Sequence, residues 1–273
     1  MNILDIDWNG VCRQKHAETS FPTRDPQFWD RRAPEFTRHA TKSDYIGQFL
    51  RILNPEPHWS VLDVGCAAGT LAVPLADRVK TITAVDASGG MLALLDERCR
   101  EKGIHNIRSV RGRWEDNWAD LAIGVHDVAI GSRSLLVQDL RSAIAKLDEH
   151  ARERVYLSTI VGDGPHDRRI IEAAGRRFHP GADYIYIVNL LYQMGIHANL
   201  TFTVHEEDKS FANIDEAVQG VRWMLEGMTA EEDERIRKFL PEHLVPVDGR
   251  LRMPGPRIVR WAVLWWDKKW DGR

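Results

Sequence analysis

The stretch that decides the fold is VLDVGCAAGT, residues 61–70. It starts as a short apolar strand, reaches an acidic residue at Asp63 and turns at Gly65, where the missing side chain allows a tight bend and the close approach of a ligand. Residues typical of a helix follow the turn. Open α/β sheets bind ligands at such strand-to-helix turns, outside the carboxyl ends of their strands. The stretch therefore predicts a ligand-binding loop.

Two common nucleotide-binding loops do not fit this stretch. A P-loop requires the pattern GxxxxGK[ST], and no lysine follows these glycines. A dinucleotide fingerprint requires GxGxxG, but counting from Gly65 the second and third glycine positions hold Ala67 and Thr70.

A second motif, AVDAS at residues 84–88, follows at an informative interval. Asp86 ends the next apolar strand, 21 residues after Gly65, where a carboxylate can accept two hydrogen bonds from a ribose diol. Ser88 is a natural N-cap for the helix that follows. The two motifs together predict a nucleoside site.

Strands and helices alternate through the first 160 residues. Apolar strands are predicted at 60–64, 81–85, 107–111, 127–131 and 155–160, with helices at 27–40, 43–53, 70–79 and 89–102 and an irregular start over 1–25. This alternation is typical of a parallel sheet covered on both faces. Two late strands, 199–205 and 257–267, predict an antiparallel hairpin at one sheet edge. The fold class is α/β: a Rossmann-like, seven-stranded, mostly parallel sheet.

The chain is expected to form one domain in four parts. These are an N-terminal helical cap (1–57), a nucleoside-binding core (58–207), a helical lid insertion (208–256) and the last strand (257–273). Because a reaction at the ligand edge of the sheet must exclude water, we expect the cap and the insertion to border one cavity.

These motifs resemble the class I S-adenosylmethionine-dependent methyltransferases. Their first motif is commonly written VLDVGCGTG, from which this chain departs at Ala67 and Ala68. Their pattern D-x-S-x-x-M-L is matched by DASGGML at residues 86–92, and FWDRRAPEF at 28–36 is similar to small-molecule members related to the ubiquinone and menaquinone methyltransferases. The resemblance covers about residues 27–160.

The resemblance implies that S-adenosylmethionine is the cofactor and S-adenosylhomocysteine the product. Met91 then packs against the adenine or simply fills the helix core. Trp114 and Glu115 meet the adenine or lie in a solvated loop, and Ser132 faces the methyl group. The implied cofactor-binding residues are Asp63, Gly65, Cys66, Ala67, Gly69, Asp86, Ala87, Met91, Trp114, Glu115 and Ser132.

The acceptor is expected to be a small or medium organic molecule. Where amino-methyltransferases carry [DN]PP[YF], this chain has GSRS at 131–134, and it lacks the Pro-Cys pair of cytosine C5 enzymes. The formal net charge of -3 gives no electrostatic reason to expect nucleic acid. Arg133 either binds an anionic acceptor or forms a surface ion pair. The candidate acceptor-binding residues are Trp29, Phe36, Tyr45 and Arg133.

No catalytic residue is assigned from the sequence. In-line methyl displacement needs alignment of the acceptor above all, and some acceptors also need a general base. The histidines that could serve are His39, His126, His166 and His179. Two other functions stay open: an aminopropyltransferase on the same fold, and a non-catalytic adenosyl-nucleoside-binding protein that acts through partners.

The remaining features favour the cytoplasm. Three scattered cysteines without CxxC spacing indicate neither disulfides nor a metal site. The N-terminus has no apolar core of a signal peptide, and no apolar run approaches about 18 residues, so neither secretion nor membrane insertion is expected. The sequence leaves a homodimer open.

Overall fold

A seven-stranded sheet forms the centre of the molecule. The computed structural model describes residues 3–19, 25–40, 44–207, 209–255 and 257–268, and for residues 34–40 it describes the backbone alone. The strands are β1 (Ser60–Val64), β2 (Thr81–Asp86), β3 (Ile107–Arg111), β4 (His126–Ser132), β5 (Ala151–Ile160), β6 (Asn199–Glu207), β7 (Ser210–Phe211), β8 (Val245–Val247), β9 (Arg250–Arg252) and β10 (Arg257–Asp267).

The order of strands in this sheet is β3-β2-β1-β4-β5-β10-β6. Strands β1 to β5 pair in parallel, whereas β10 lies between β5 and β6 and is antiparallel to both. This confirms the predicted mostly parallel sheet with an antiparallel edge. The chain leaves β1 towards β2 on one side and returns to β4 on the other, so a crevice opens between the carboxyl ends of β1 and β4.

Helices cover both faces of the sheet. On one face, residues of α1, α6 and α8 form a hydrophobic cluster, and on the other face α3, α4 and α5 form a second. The helices are α1 (Trp8–Glu18), α2 (Pro26–Ala40), α3 (Asp44–Leu53), α4 (Ala72–Leu75), α5 (Gly89–Lys102), α6 (Leu140–Glu149), α7 (Arg168–Ala173), α8 (Tyr184–Gln193), α9 (Ile214–Val221) and α10 (Ala230–His243), with 3-10 turns at Ile3–Asp5 and Arg222–Met224.

The insertion contains more than helices. Besides α9 and α10 it holds the short strands β7, β8 and β9, which pair as a separate antiparallel sheet in the order β7-β9-β8. Its apolar side chains pack with those of α7 in a third cluster that includes Ile170, Val218 and Ile236. The predicted helical insertion is present, and the small sheet that it also carries was not predicted, because strands of two or three residues leave no alternating pattern to find.

Two expected boundaries also change. The first 25 residues are not irregular throughout: α1 spans Trp8–Glu18, and the side chain of Asp7 caps it by accepting a hydrogen bond from the backbone N–H of Gly10. The predicted helix over 70–79 shrinks to α4, Ala72–Leu75. Helix α4 contains Pro74, which has no N–H for a helical hydrogen bond. The turns that flank α4 are tighter than those of an α-helix.

None of the helices within the described ranges is long and apolar enough to cross a membrane.

Candidate functional site

The loop after β1 is shaped by three residues with left-handed backbone. Gly65 (φ 75°), Ala67 (φ 49°) and Gly69 (φ 74°) all adopt it. A Cβ on Gly65 would lie 2.2 Å from the Cβ of Ser134, so this position requires glycine. Ala67 adopts the left-handed conformation despite its side chain, so replacing the glycine of the related motif leaves the turn in place. The backbone N–H groups of Gly65 and Cys66 both donate to the carbonyl of Val85, which fastens the loop to β2.

Asp86 holds two loops together at the end of β2. Its Oδ2 accepts a hydrogen bond from the backbone N–H of Ala67 at 2.8 Å, and its Oδ1 accepts one from the N–H of Ser88 at 2.9 Å. Burial raises the pKa of Asp86, while these N–H donors lower it. Ser88 caps α5 by accepting from the N–H of Met91, as expected. Because a carboxylate offers about four lone-pair positions, Asp86 can also accept from a ligand.

Asp63 is a buried acid with an unmet hydrogen-bonding atom. It is 2% exposed, and its Oδ2 has no hydrogen-bond partner among the residues the structure describes. Burial, and then the charge of Asp86, raise the pKa of Asp63 to about 7. A buried carboxylate that lacks a donor is costly, so this position favours a ligand that brings positive charge or N–H groups.

A cavity of about 490 Å³ lies over these loops, at the carboxyl ends of β1 and β4. It brings together most of the residues predicted from the sequence: Trp29, Asp63, Gly65, Cys66, Ala67, Asp86, Ala87, Met91, Trp114, Glu115, Ser132 and Arg133. Gly69 does not line it and shapes the loop instead, because a Cβ there would meet Leu95 at 2.5 Å. The side chain of Phe36 lies outside the described residues.

Three hydroxyl groups meet at Ser132, which lines the floor of the cavity. The Tyr45 hydroxyl lies 2.7 Å from Ser132 Oγ and 2.6 Å from Ser158 Oγ, and the two serine oxygens are 3.2 Å apart. Tyr45 is fully buried, and this burial raises its pKa. Tyr45 thus lies behind the cavity rather than in its lining, and it fixes Ser132, which does line it.

Arg133 stands beside Ser132 at the end of β4. It has a left-handed backbone (φ 55°), and its N–H donates to the carbonyl of Ser158 at 3.0 Å. The guanidinium carbon lies 4.2 Å from the ring centre of Tyr45 and 5.2 Å from that of Trp261. Two aromatic faces therefore hold the guanidinium in place.

Helix α2 forms the roof. Asp25, Pro26 and Trp29 line the cavity from above. Asp30 accepts hydrogen bonds from Ser88 Oγ at 2.6 Å and from the N–H of Gly90 at 2.8 Å, which fastens α2 to the start of α5. Ala33 packs with Ala68 and Met91 in a small buried cluster below. Sequence reasoning missed Asp30, because its partners are about 60 residues away in the chain and no local pattern marks the contact.

Comparisons with known proteins agree with this geometry. The family described as a methyltransferase domain matches residues 61–154, from β1 into β5. An uncharacterized protein of Haemophilus influenzae is 32% identical over 271 residues, which is 98% of each chain. A Methanocaldococcus jannaschii protein named as a probable cobalt-precorrin-6B C(15)-methyltransferase is 29% identical over 137 residues, 50% of this chain and 69% of that protein. The solved structure of protein BH2331 of Bacillus halodurans has a TM-score of 0.57 at 15% identity and covers 83% of this chain and 99% of that one.

This chain belongs to the class I S-adenosylmethionine-dependent methyltransferases. The relationship to the ubiquinone and menaquinone members stays a prediction.

The histidines of this methyltransferase lie away from the cavity lining as far as it is described. His126 is buried and its two ring nitrogens lie 2.8 Å from the Gly124 carbonyl and 2.9 Å from Thr83 Oγ1, so it is structural. His166 packs against the ring of Trp223 in the region of the insertion. Neither His166 nor His179 lines the cavity, and the side chain of His39 lies outside the described residues. Among the side chains that the structure describes, the cavity lining therefore offers no histidine as a general base.

The insertion does not reach the cavity of this methyltransferase. No residue from the described part of 208–256 lines it, whereas the cap contributes the roof. The expectation that both segments border one cavity is met by the cap alone. Sequence reasoning also overlooked Ser134, just after β4, which has no assigned role in the motif. Its Oγ donates to the Val64 carbonyl at 2.7 Å, and its side chain packs against Gly65.

Proposed function

We propose that this methyltransferase binds S-adenosylmethionine in the cavity above β1 and β4 and transfers its methyl group to a small or medium organic acceptor in the cytoplasm. The observation that carries the proposal is the unpartnered Oδ2 of Asp63 beside the Gly65 loop. This buried carboxyl fits the ammonium group of a methionyl tail, and Asp86 on the neighbouring strand fits the ribose diol.

The binding roles follow from position in the sheet. Asp86 offers the remaining lone pairs of a carboxylate that backbone N–H groups already hold in a fixed orientation. Met91 and Trp114 add apolar surface to the lining of the cavity. Trp114 is itself fixed, because its Nε1 donates to the carbonyl of Ser134 at 3.0 Å.

The residues that line the cavity need to orient the reactants and exclude water more than to react themselves. When bound, S-adenosylmethionine supplies a methyl group already activated on a positively charged sulfur. Ser132, fixed by Tyr45, marks the floor against which an acceptor is aligned. Trp29 and the rest of the roof exclude water from the space above it.

The acceptor class rests on charge and on one relative. The chain carries a net charge of -3, and a phosphate-binding surface usually shows a basic excess. The Methanocaldococcus jannaschii relative, named for a precorrin acceptor, matches over 69% of its length, whereas relatives named as 23S rRNA (uracil(1939)-C(5))-methyltransferases match over no more than 21% of theirs. The free cysteines Cys12, Cys66 and Cys99 support a reducing compartment.

Calorimetry with S-adenosylhomocysteine tests the proposal. We expect the wild type to bind this compound and not NAD, and Asp86→Ala to lose roughly 1.5–3 kcal/mol of binding free energy, the range for hydrogen bonds to a charged group. Asp77→Ala is the matched control, because its carboxylate is exposed and contacts only Arg78 among the ion pairs described.

Gly65→Val provides a second variant, since Asp86→Ala also frees the Ala67 N–H. A side chain at Gly65 must displace Ser134 and occupy a left-handed backbone, so binding should be lost while circular dichroism shows a folded protein. Binding of NAD, absence of S-adenosylhomocysteine binding, or normal binding by both variants would refute the proposal.

A further inference from the structure

Arg133 adopts a backbone conformation that is unfavourable for a residue with a large side chain. Its φ of 55° lies in the region that bulky residues rarely adopt, and its N–H is held by the Ser158 carbonyl on the neighbouring strand. Local strain of this kind persists where the surrounding structure imposes it, and it concentrates at ligand sites. The strain here directs a guanidinium to the cavity floor.

The guanidinium is held without being neutralised. Its partners are the aromatic faces of Tyr45 and Trp261, and no ion pair or side-chain hydrogen bond joins Arg133 to any residue that the structure describes. Burial lowers the pKa of Arg133. The two ring faces accept no conventional hydrogen bond, so among the described residues the guanidinium N–H donors have no acceptor and stay available to a ligand.

Arg257 shows how this chain satisfies another half-buried arginine. It pairs with Glu207 at 2.8 Å and donates to the backbone carbonyls of Gly164, Pro165 and His166. Arg133 has no such set. A partly desolvated cation without an anion is costly, and Arg133, which is half-buried, lines a cavity open to a ligand.

Sheet order separates Arg133 from the nucleoside side of the cavity. Asp86 lies on β2, two strands from β4 in one direction, and Trp261 lies on β10, two strands from β4 in the other. With strands about 4.8 Å apart, the guanidinium over Trp261 sits on the half of the edge opposite to the proposed ribose position.

We infer that Arg133 is the anchor for the methyl acceptor and that the acceptor is an organic anion, which offers a carboxylate or phosphate to the guanidinium. The inference rests on the proposed function for its account of the other half of the cavity. Two parallel N–H donors match the two oxygens of such a group. The anchored anion brings its neighbouring atoms over Ser132, next to the proposed methyl position.

Thermal unfolding of the protein saturated with S-adenosylhomocysteine tests this, with benzoate, its neutral counterpart benzamide and inorganic phosphate as probes. We expect benzoate and phosphate to raise the unfolding temperature and benzamide not to. Arg133→Gln should weaken benzoate binding tenfold or more, and Arg133→Lys, which keeps the charge but loses the paired donors, should fall between. Arg260→Gln is the control, because Arg260 is an exposed arginine one residue before Trp261 on the same strand.

The outcomes separate the two proposals. Equal protection by benzoate and benzamide, no protection by either anion, or full protection of Arg133→Gln overturns the anionic acceptor and leaves the cofactor site intact. If Arg133→Gln loses affinity for S-adenosylhomocysteine but keeps it for methylthioadenosine, which has no carboxylate, then Arg133 binds the methionyl tail and not the acceptor. Absence of S-adenosylhomocysteine binding by the wild type refutes the proposed function instead, and the benzoate titration without it still tests Arg133.

Discussion

The cap and the insertion are both additions to the same sheet, but they bury their apolar side chains in different places. The cap contributes Cys12 to the cluster on one face of the sheet and Tyr45 and Phe49 to the cluster on the other. The insertion instead shares the third cluster with α7. A segment that depends on the core for its packing is coupled to the site on that core. A segment with a cluster of its own can change without disturbing the site.

Polar contacts repeat this contrast. The cap reaches the site through Asp30, which binds the start of α5, and through Tyr45 beneath Ser132. The insertion is joined to α7 and its neighbours by ion pairs, such as that of Glu232 with Arg176 at 2.7 Å. We therefore expect changes in the cap to alter ligand binding and changes in the insertion to alter stability.

A matched pair of tryptophan substitutions gives the largest expected contrast. Trp29 and Trp223 are both half-buried, one in the cavity roof and one in the insertion against His166. Trp29→Ala should weaken S-adenosylhomocysteine binding by about 2 kcal/mol through lost apolar contact. Trp223→Ala should leave that affinity unchanged and lower the free energy of unfolding by about 2 kcal/mol, less than for a fully buried tryptophan.

Calorimetry and urea unfolding of the two variants measure both quantities. The contrast fails if Trp29→Ala binds as the wild type does, or if Trp223→Ala weakens binding as much as it weakens folding. The second result would mean that the insertion closes over the site in solution.

The pH dependence contributed by the binding site and that contributed by the insertion should have opposite signs. The pKa of Asp63 is raised to about 7, so the folded state holds this proton more tightly than the unfolded state, and its contribution to stability falls as pH rises from about 4 to 7. Arg176 lowers the pKa of Glu232 to about 2. The contribution of Glu232 to stability is therefore present above pH 4.5, the ordinary pKa of a glutamate, and is lost as the pH falls through about 2.

The pH dependence of ligand binding should follow the protonation of Asp63 and not that of Glu232. If its carboxylate meets the methionyl ammonium, affinity for S-adenosylhomocysteine should fall by roughly five- to tenfold between pH 7.5 and pH 6, as Asp63 takes up its proton. Asp63→Asn should bind more weakly at pH 7.5 and lose this dependence, while Glu232→Gln should keep it. A wild-type affinity that is flat over this range would remove Asp63 from the binding site.

The sequence predicts the core better than the additions, for physical reasons. Strands β1, β3 and β10 and helix α5 have the predicted bounds, because buried strands and a capped helix carry dense local patterns. Helix α1 was missed because only two of its residues, Asn9 and Cys12, are buried, which leaves no apolar stripe.

The site divides in the same way. The loop residues and Asp86 follow from motifs, and the structure brings them to one cavity. The hydrogen bond from Ser88 Oγ to Asp30 and the hydrogen bond between the Tyr45 and Ser158 hydroxyls join residues 58 and 113 positions apart. Such contacts depend on how the elements pack, and no spacing in the chain encodes them.

The smallest expected effect concerns a contact of the cap that avoids the site. Gln48 on α3 donates from Nε2 to the Val204 carbonyl at 2.7 Å, and its Oε1 accepts from the Val204 N–H at 2.9 Å. The side-chain amide thus pairs with the backbone of edge strand β6 as another strand would. Water can replace both bonds in Gln48→Ala, so we expect a loss of only about 1 kcal/mol of unfolding free energy.

Gln14→Ala is the control for this variant, since Gln14 is exposed and its described hydrogen bond joins only Glu18 of the same helix. Urea unfolding should separate the two, and calorimetry should find normal S-adenosylhomocysteine binding in both. Gln48 lies three residues after Tyr45, on the helix that fixes Ser132. If Gln48→Ala does weaken binding, α3 moves as a unit, and the coupling of the cap to the site then includes its attachment to the sheet edge as well as its roof.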